Sequence, residues 1–344
     1  MEDARAAVID PIEDPRWMGL MECPDASIFH HPAWLRILRD SYRYDIWACC
    51  LFDEGGVPVA GLPVATIRSR LTGDRLVSLP FSDVCAPVVG DDDRHLAQLG
   101  RALEQERGRL DLPLEIHGSL PGLPSATPGD EFVHHKVDLA DGMERVSSRM
   151  HASKRRGVKK ARREGVEVQR RTDRQALDAF YALHVRTRRK HGVPTQPKRF
   201  FRRLEELFRR ELGFVLLAWH GGAPVAAEVL LVFNGVLTSK YSASDPQKGN
   251  LRANELVKFE AYRAACELGC RVVDLGRAEK DNHGLRGFKE DMGGEPQPLT
   301  YTLVPDRRAG GSVREVPALQ RRLIRRAPPV FGRMLGAAVY RHFG

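Results

Sequence analysis

The sequence predicts an α/β fold in which one mixed-sheet domain occurs twice. Its 344 residues are 42% hydrophobic, which is enough for two hydrophobic cores. A hairpin pattern recurs in WACCLFDEGGVPVAGLPVATI and FVLLAWHGGAPVAAEVLLVFN, each with an apolar strand, a Gly-Gly-x-Pro-Val-Ala turn and a second strand. The turns begin at Gly55 and Gly221, 166 residues apart. An offset of about half the chain indicates a duplicated domain.

The first copy is expected to begin with a helix over 29–42, FHHPAWLRILRDSY, with Trp34, Ile37 and Leu38 facing inward. The first hairpin follows this helix. A strand and an irregular loop are then predicted for RLVSLPFSDVCAPVVG. A helix is predicted for HLAQLGRALEQERGR, and a strand for LEIHG. We assign residues 1–140 to this copy.

The second copy repeats this order. After its hairpin, VLTSKYSASD predicts a strand over 236–245, PQKGNLRANELVKFEAYRAACELG a helix, and CRVVDLGRA a strand. The helix has an apolar stripe and should end at Gly269. The stripe consists of Val257, Ala261, Ala264, Ala265 and Leu268. We assign 141–310 to this copy and 311–344 to a basic, amphipathic, helical C-terminal tail.

The two halves of the chain differ in charge. Residues 1–140 contain 23 acidic and 13 basic side chains, whereas 141–344 contain 22 acidic and 41 basic ones. This asymmetry points to a polyanionic partner for the second half. Its most basic stretch is RMHASKRRGVKKARREG at 149–165, where Lys154, Arg155 and Lys159 are candidate phosphate-binding residues. A solvated basic face is the alternative.

A second basic cluster, HVRTRRKHGVPTQPKRFFRRLEELFRR, predicts a helix that breaks at Gly192 and Pro194 and then resumes. Arg188 flanks the resulting loop, where binding residues tend to lie. It is therefore a further candidate substrate-binding residue.

Several classes of protein are excluded. The acidic N-terminus has no apolar run typical of a signal sequence, and no stretch of about 18 apolar residues could span a membrane. The six cysteines lack zinc-site spacings, and the adjacent histidine pairs His30–His31 and His134–His135 would point to opposite faces of a strand. We therefore expect free buried thiols, no metal site and a cytoplasmic protein.

The order of elements is similar to the GNAT acyltransferase fold. With the tandem copy, the motifs SKRRGVKKARREGVEV, RKHGVPTQPKRFF, SASD and VVDLGR...GLRGFKEDMGG resemble the FemAB family of peptidyltransferases, including relatives linked to PEP-CTERM exopolysaccharide systems. The resemblance covers roughly 25–305.

This resemblance implies transfer of an aminoacyl group from aminoacyl-tRNA to an amine of a peptidoglycan precursor, with the acceptor bound between the two copies. The family's Phe-Lys pair is matched by Phe288 and Lys289, and the lysine would stabilise the oxyanion formed during transfer. Similarity also suggests that Asp83, in SLPFSDVCAP, contributes to the acceptor side. The family's long coiled-coil insertion is absent before residue 180, so a tRNA-gripping arm of that kind is not expected.

The stretch VVDLGRAEKDNHGLRGFKEDMGG fits this chemistry. Attack of an amine on an ester or thioester places negative charge on the carbonyl oxygen, and a preplaced donor or cation stabilises it by about 3 kcal/mol or more. We predict that Lys289, on a loop, is that cation, and that Asp274 accepts or orients the amine proton. Arg277 would bind a phosphate or carboxylate, and Tyr241 would donate a hydrogen bond to substrate. Solvated or capping roles are the alternatives.

Two other functions remain open. An acyl-CoA-dependent GNAT enzyme could acylate a sugar or lipid amine, although DPQKGNLRAN has only one glycine, Gly249, for a pyrophosphate-binding turn. A binding protein that has lost catalysis would use its basic surface alone. No tightly bound cofactor is expected, and aminoacyl-tRNA or acyl-CoA would be the donor substrate.

The tail could contact a membrane at its inner face. Its apolar residues lie beside arginines, as in helices that lie on a membrane surface. These residues are Val330, Phe331, Met334, Leu335 and Ala338. A nucleotide- or lipid-linked cell-envelope precursor would be the acceptor.

Overall fold

The computed structural model describes residues 4–90, 92–123, 125–305 and 329–342. They form two units, each with helices and a run of paired strands, and we call these two runs the first and the second sheet. The first unit contains the described residues up to Glu131, together with Leu299–Val304 and the chain from Val339. The second begins at Phe132, so the boundary lies nine residues before the predicted position 140 and falls inside a strand.

The first unit is built on six strands in a row, with two helices. The strands are β1 (Arg5–Ile9), β2 (Asp45–Phe52), β3 (Pro58–Ile67), β4 (Arg75–Val77), β6 (Leu114–Ile116) and β13 (Glu295–Val304), in that spatial order. The helices are α1 (Pro32–Tyr42) and α2 (Asp93–Leu110), and a short strand, β5 (Val88–Val89), pairs with β3. Only β4 and β6 pair in parallel.

The second unit repeats this arrangement. Its strands, in spatial order, are β8 (Glu167–Arg171), β9 (Gly213–His220), β10 (Ala223–Phe233), β11 (Val236–Ser244), β12 (Val272–Glu279) and β7 (Thr127–Asp138). The helices are α3 (Gly142–Arg149), α4 (Ala152–Arg163), α5 (Arg174–His191), α6 (Lys198–Arg203), α7 (Glu205–Arg209), α8 (Ala253–Glu267), α9 (His283–Asp291) and α10 (Pro329–Val339). Here only β11 and β12 pair in parallel.

The identical strand order confirms the predicted duplication. β1, β2, β3, β4 and β6 correspond to β8, β9, β10, β11 and β12. The sixth strand differs in origin, because the first unit takes β13 from the end of the fold and the second takes β7 from before its other elements. The predicted repeat forms the hairpins β2–β3 and β9–β10. Gly56, Gly221 and Gly222 turn these hairpins with positive φ, which glycine adopts without steric cost.

Helices cover both faces of the second sheet. Helix α8 packs on one face through Val257, Ala261 and Ala265, in a core cluster that also contains Leu237 and Val273. We call this the α8 face. Helix α5 packs across β9, β10 and β11 on the opposite face, the α5 face.

The basic segment forms helix α4, which buries only Gly157, Val158 and Ala161. This narrow stripe suffices because α4 lies very close to α8. A Cβ atom added at Gly157 would lie 3.3 Å from the Cγ atom of Glu255 on α8. Close packing of small residues therefore fixes a helix whose remaining surface is cationic.

Candidate functional site

Strands β11 and β12 pair only over three residues. Val236–Thr238 lies in parallel register with Val272–Asp274. Beyond this point β11 continues to Ser244 and β12 to Glu279, but the two strands no longer pair with each other. On its other side β12 pairs with β7 from Val272 to Glu279, with a register shift between Asp274 and Arg277. The second sheet therefore opens between two parallel strands beyond Thr238 and Asp274.

A bulge in each strand sets the direction of the side chains at this opening. In β11, Val229 of β10 pairs with Tyr241 and Leu230 with Ser239, so Lys240 is the extra residue. In β12 the register shifts between Asp274 and Arg277. Because side chains alternate along a strand and Leu237 and Val273 lie on the α8 face, Thr238 and Asp274 lie on the α5 face.

Asp274 is bound to a histidine that the sequence analysis had considered only as a metal ligand. His134 Nε2 lies 2.7 Å from Asp274 Oδ1, and the Gly276 amide donates to the same oxygen at 2.7 Å. Burial acts to raise the pKa of Asp274, but the hydrogen bonds from His134 and the Gly276 amide, together with the charge of Lys136, outweigh it and hold the pKa below its usual value. Asp274 is therefore an ionised group bound to His134. Its predicted role toward the amine proton stays a prediction.

Lys289 lies in helix α9, so its predicted position on a loop is wrong. Asn282 begins this helix, with its side chain accepting from the Leu285 amide at 3.2 Å. The Lys289 side chain is buried, and its ammonium group donates to the carbonyl oxygens of Gly276 and Arg277, both at 2.8 Å. Lys289 thus holds the bulge of β12, and this geometry gives no support to the predicted oxyanion role.

Tyr241 extends from β11 into an aromatic cluster on the α5 face. Its ring lies 5.2 Å from that of Phe201 and 6.3 Å from the imidazole of His184, centroid to centroid. Gln196 Nε2 donates to the Tyr241 hydroxyl at 3.4 Å. These contacts fix the half-buried phenol beside the opening. Burial lowers the pKa of His184 to about 3, so this imidazole is neutral.

The two remaining residues of the predicted catalytic stretch lie on different faces. The Arg277 guanidinium stacks 3.8 Å from the centre of the Phe132 ring, and β12 pairs Arg277 with His134. Phe288 packs against the core of the α8 face, with Lys154 Nζ 4.7 Å from its ring centre. Arg277 therefore belongs with His134 and Asp274, whereas Phe288 does not.

The structure gives the predicted phosphate-binding residues different environments. Arg155 donates to the Ser147 and Met150 carbonyl oxygens at the end of α3, and Arg188 donates to the Pro194 carbonyl oxygen at 3.0 Å. Lys154 Nζ lies 3.7 Å from Asp291. Lys159, by contrast, is exposed. Arg156, Arg162 and Arg163 of α4 are exposed as well, and Arg162 forms a salt bridge with Glu260 at 2.9 Å.

In the first unit, Asp83 lies in a loop that its neighbours hold firmly. The Tyr301 hydroxyl donates to the Asp83 carbonyl oxygen at 2.7 Å, and His117 Nδ1 lies 2.8 Å from the Ser82 carbonyl oxygen. Phe81 adopts a φ of 60°, which is unusual for a residue with a side chain. Whether Asp83 binds an acceptor stays a prediction.

A buried charged cluster that was not predicted from the sequence lies between β10, β11 and α8 and consists of Glu228, Ser239 and Lys258. Lys258 donates to Glu228 and, at 2.6 Å, to Ser239 Oγ, while Ser239 donates to Glu228. Glu228 is only 1% exposed. The single acidic residue in the apolar strand APVAAEVLLVF was the signal for it, since a buried carboxylate requires a partner.

Further features concern cysteines, metals, membranes and the tail. All six cysteines are free, four of them buried. Within the described ranges, we find no group of three side chains suited to hold a metal ion. None of the described helices has the length and hydrophobicity needed to cross a membrane. Much of the predicted tail lies outside the described residues, including the side chains of Val330, Phe331 and Ala338, while Met334 on α10 is 69% exposed.

Comparison with known proteins confirms the predicted fold. Residues 148–290 match the Acetyltransferase (GNAT) domain family. FemX has a similar structure, with a TM-score of 0.69, 12% identity and coverage of 88% of this chain and 98% of FemX. The C-terminal domain of a putative lysylphosphatidylglycerol synthetase from Agrobacterium fabrum gives a TM-score of 0.57 at 13% identity, with 94% and 95% covered.

A tandem GNAT protein from the clavulanic acid biosynthesis pathway gives a TM-score of 0.51 at 16% identity, with 87% of this chain and 98% of that chain covered. None of the curated proteins matches the sequence significantly. The domain match and the similar structures show that the chain has a tandem GNAT-like fold. The resemblance to FemAB-like proteins is confirmed at the level of the fold, through the similarity to FemX.

Proposed function

We propose that the protein transfers an aminoacyl group from aminoacyl-tRNA to an amine of a nucleotide- or lipid-linked peptidoglycan precursor or related cell-envelope acceptor. The observation that carries this proposal is the opening between β11 and β12. Three polar side chains, Tyr241, Asp274 and Arg277, lie at this opening on the α5 face. An extended acyl donor could bind there through backbone hydrogen bonds, as a peptide binds to a strand edge.

The chemistry requires few groups from the protein. The amine nitrogen attacks the carbonyl carbon of the ester, and the tetrahedral intermediate collapses to an amide and an alcohol. Tyr241 is placed to donate a hydrogen bond to the reacting groups, and Arg277 to bind an anionic group of the substrate. The oxyanion role of Lys289 and the location of the acceptor between the two copies stay predictions.

The basic helix α4 supports a polyanionic donor. Its exposed residues Arg156, Lys159 and Arg163 form a cationic surface suited to phosphates. The structural similarity to FemX and to a lysylphosphatidylglycerol synthetase is compatible with this choice. A lipid-linked acceptor would bring the protein to the inner face of the membrane, where the C-terminal tail could contact the lipid surface.

Acyl-CoA is the second candidate donor, because the first turn of α8 has no side-chain cap. Arg252 precedes this helix in the left-handed conformation and is mostly exposed, so a phosphate could bind to the free amides. Glu255, however, lies in the same first turn and is buried beside α4. A fixed carboxylate at a helix N-terminus disfavours a second anion there, which favours aminoacyl-tRNA.

The test is a donor assay. Purified protein is incubated with radiolabelled aminoacyl-tRNA or acetyl-CoA and with lipid-linked or nucleotide-linked muropeptide, and the amide product is identified by mass spectrometry. Tyr241→Phe should lower the transfer rate about tenfold or more, because it removes one preorganised donor. Tyr181→Phe, in the same aromatic cluster but on α5, is the matched control and should retain the rate. Absence of product with every donor would overturn the proposal.

A further inference from the structure

His134 has the geometry of a base held by a carboxylate. Its ring is buried, at 6% exposure, and Nε2 is bound to Asp274 Oδ1. Because an ionised carboxylate only accepts hydrogen bonds, Nε2 carries the proton in the neutral ring, and Nδ1 carries the lone pair. Among the described residues, no hydrogen-bond partner is found for Nδ1. The lone pair is therefore left for a ligand.

His134 lies on the same face of the second sheet as the polar residues at the opening between β11 and β12. β7 pairs His134 with Arg277, and the alternation along β7 places His134 on the α5 face, opposite His135. Tyr241, Asp274 and His134 thus lie on the same face of one sheet. His135 points to the α8 face, where its Nε2 lies 3.4 Å from Glu290.

We propose that His134 is the proton-transferring residue of this site and that Asp274 is its positioning residue. This inference rests on the proposed acyl transfer. As the amine nitrogen bonds to the carbonyl carbon, the carbonyl electron pair moves to oxygen and His134 Nδ1 takes a proton from the nitrogen. When the carbon–oxygen bond of the ester then breaks, the same proton passes to the departing oxygen. The products are an amide and an alcohol, and the neutral histidine is restored.

The assignment fits the charges around the imidazole. Asp274 stabilises the imidazolium that forms during the reaction, as the carboxylate does in a catalytic triad. Alternation and strand pairing place two cations, Lys136 and Arg277, on this face next to the pair, and two carboxylates, Asp138 and Glu279, further along the strands. Both cations can offset the negative charge of the Asp274 carboxylate without forming a hydrogen bond to His134 Nδ1. The alternative is that the His134–Asp274 hydrogen bond serves only to join β7 to β12.

The variant His134→Gln separates the two possibilities. The glutamine amide can still donate to Asp274, so the link between strands is retained, but it has no basic nitrogen. We expect the transfer rate to fall about 10²- to 10⁴-fold with little change in KM or in the midpoint of urea unfolding. Added imidazole should restore part of the lost rate.

His135→Gln is the control for a histidine of the same strand on the opposite face, and its transfer rate should stay within threefold of wild type once its fold is confirmed. If wild type transfers an acyl group and His134→Gln does so within threefold, the base assignment fails while the proposed function stands. If wild type shows no transfer, the proposed function fails. A His134→Gln variant that loses both rate and stability would be followed by the imidazole rescue, and no rescue would count against His134 as a base.

Discussion

Lys289 offers the sharpest test of how the site is built. The substitution Lys289→Met keeps most of the side-chain volume and removes the ammonium group. Two hydrogen bonds to the Gly276 and Arg277 carbonyl oxygens, each 2.8 Å long, are lost. The side chain is only 8% exposed, so water cannot readily replace the lost donor.

The expected cost follows from these contacts. A hydrogen bond to a charged group contributes about 1.5–3 kcal/mol. Two such bonds give about 3–6 kcal/mol, from which the relief of burying an ammonium group subtracts a few kcal/mol. We therefore expect the free energy of unfolding to fall by about 2–4 kcal/mol. Because the bulge places the Gly276 amide against Asp274, transfer activity should fall as well.

Urea unfolding followed by circular dichroism measures this change. Lys159→Met, on the exposed surface of α4, is the matched control and should shift the free energy by no more than about 0.5 kcal/mol. A Lys289→Met variant that loses transfer activity but keeps wild-type stability would refute the structural role. It would restore the original prediction that the charge acts on the substrate.

Two further predictions concern acid stability and salt. Burial lowers the pKa of His30 to about 4 and of His184 to about 3. In the unfolded chain both histidines bind a proton near pH 6.5. The stabilisation that comes from keeping them neutral is therefore complete above pH 6.5 and is lost as the pH falls below it. Each histidine should lower the free energy of unfolding by about 2 kcal/mol at pH 5 relative to pH 7.5. His184→Leu should remove its share of this pH dependence, as measured by urea unfolding, whereas His283→Leu, at an exposed residue, should leave it unchanged. Equal pH dependence in the two variants would contradict the assignment. For the donor, the affinity for tRNA should fall steeply with salt concentration. The double variant Arg156→Glu with Lys159→Glu should reduce the slope of log K for tRNA binding against log salt concentration by about two, one for each lost phosphate contact. Arg70→Glu, in the first unit, should leave this slope unchanged. A flat salt profile in wild type would argue for an uncharged donor.

The sequence predicted the fold well where the signals are local. The Gly-Gly turns, the strand lengths and the apolar stripe of α8 each lie within about 25 residues of chain, and their repetition gives the duplication. The domain boundary lies elsewhere because it depends on which strand closes each sheet. Pairing of β7 with β12 joins residues about 140 positions apart, and no periodicity within either strand specifies that partner.

The same limit explains the site. Asp274, Arg277 and Tyr241 were identifiable because they follow the apolar residues that begin two predicted strands, whereas the role proposed for His134 depends on Asp274, which lies on the neighbouring strand of the sheet. Lys289 was placed on a loop because Gly284 and Gly287 interrupt the segment. Asn282 was a signal for a helix start that could have corrected this, since asparagine is a favoured N-cap residue.

The first unit also has a carboxylate–histidine pair where its two parallel strands diverge. In the first unit, β4 and β6 pair through Val77 and Glu115, as β11 and β12 pair through Thr238 and Asp274. Glu115 also binds a histidine, His117, at 3.0 Å. The Nδ1 atom of His117, however, lies 2.8 Å from the Ser82 carbonyl oxygen, so both ring nitrogens are bound to protein.

A histidine with both nitrogens engaged cannot take a proton from a substrate without breaking a protein hydrogen bond. The ring of His117 is also stacked on Tyr301, 4.3 Å between centroids. Its task in the first unit is therefore to hold the loop that contains Ser82. A carboxylate–histidine pair therefore occurs where the two parallel strands diverge in both units, but the histidine comes two residues after the carboxylate in the first unit and from the neighbouring strand β7 in the second. Of the two pairs, only the second leaves an imidazole nitrogen without a protein partner among the described residues, which is why we propose one proton-transferring centre and not two.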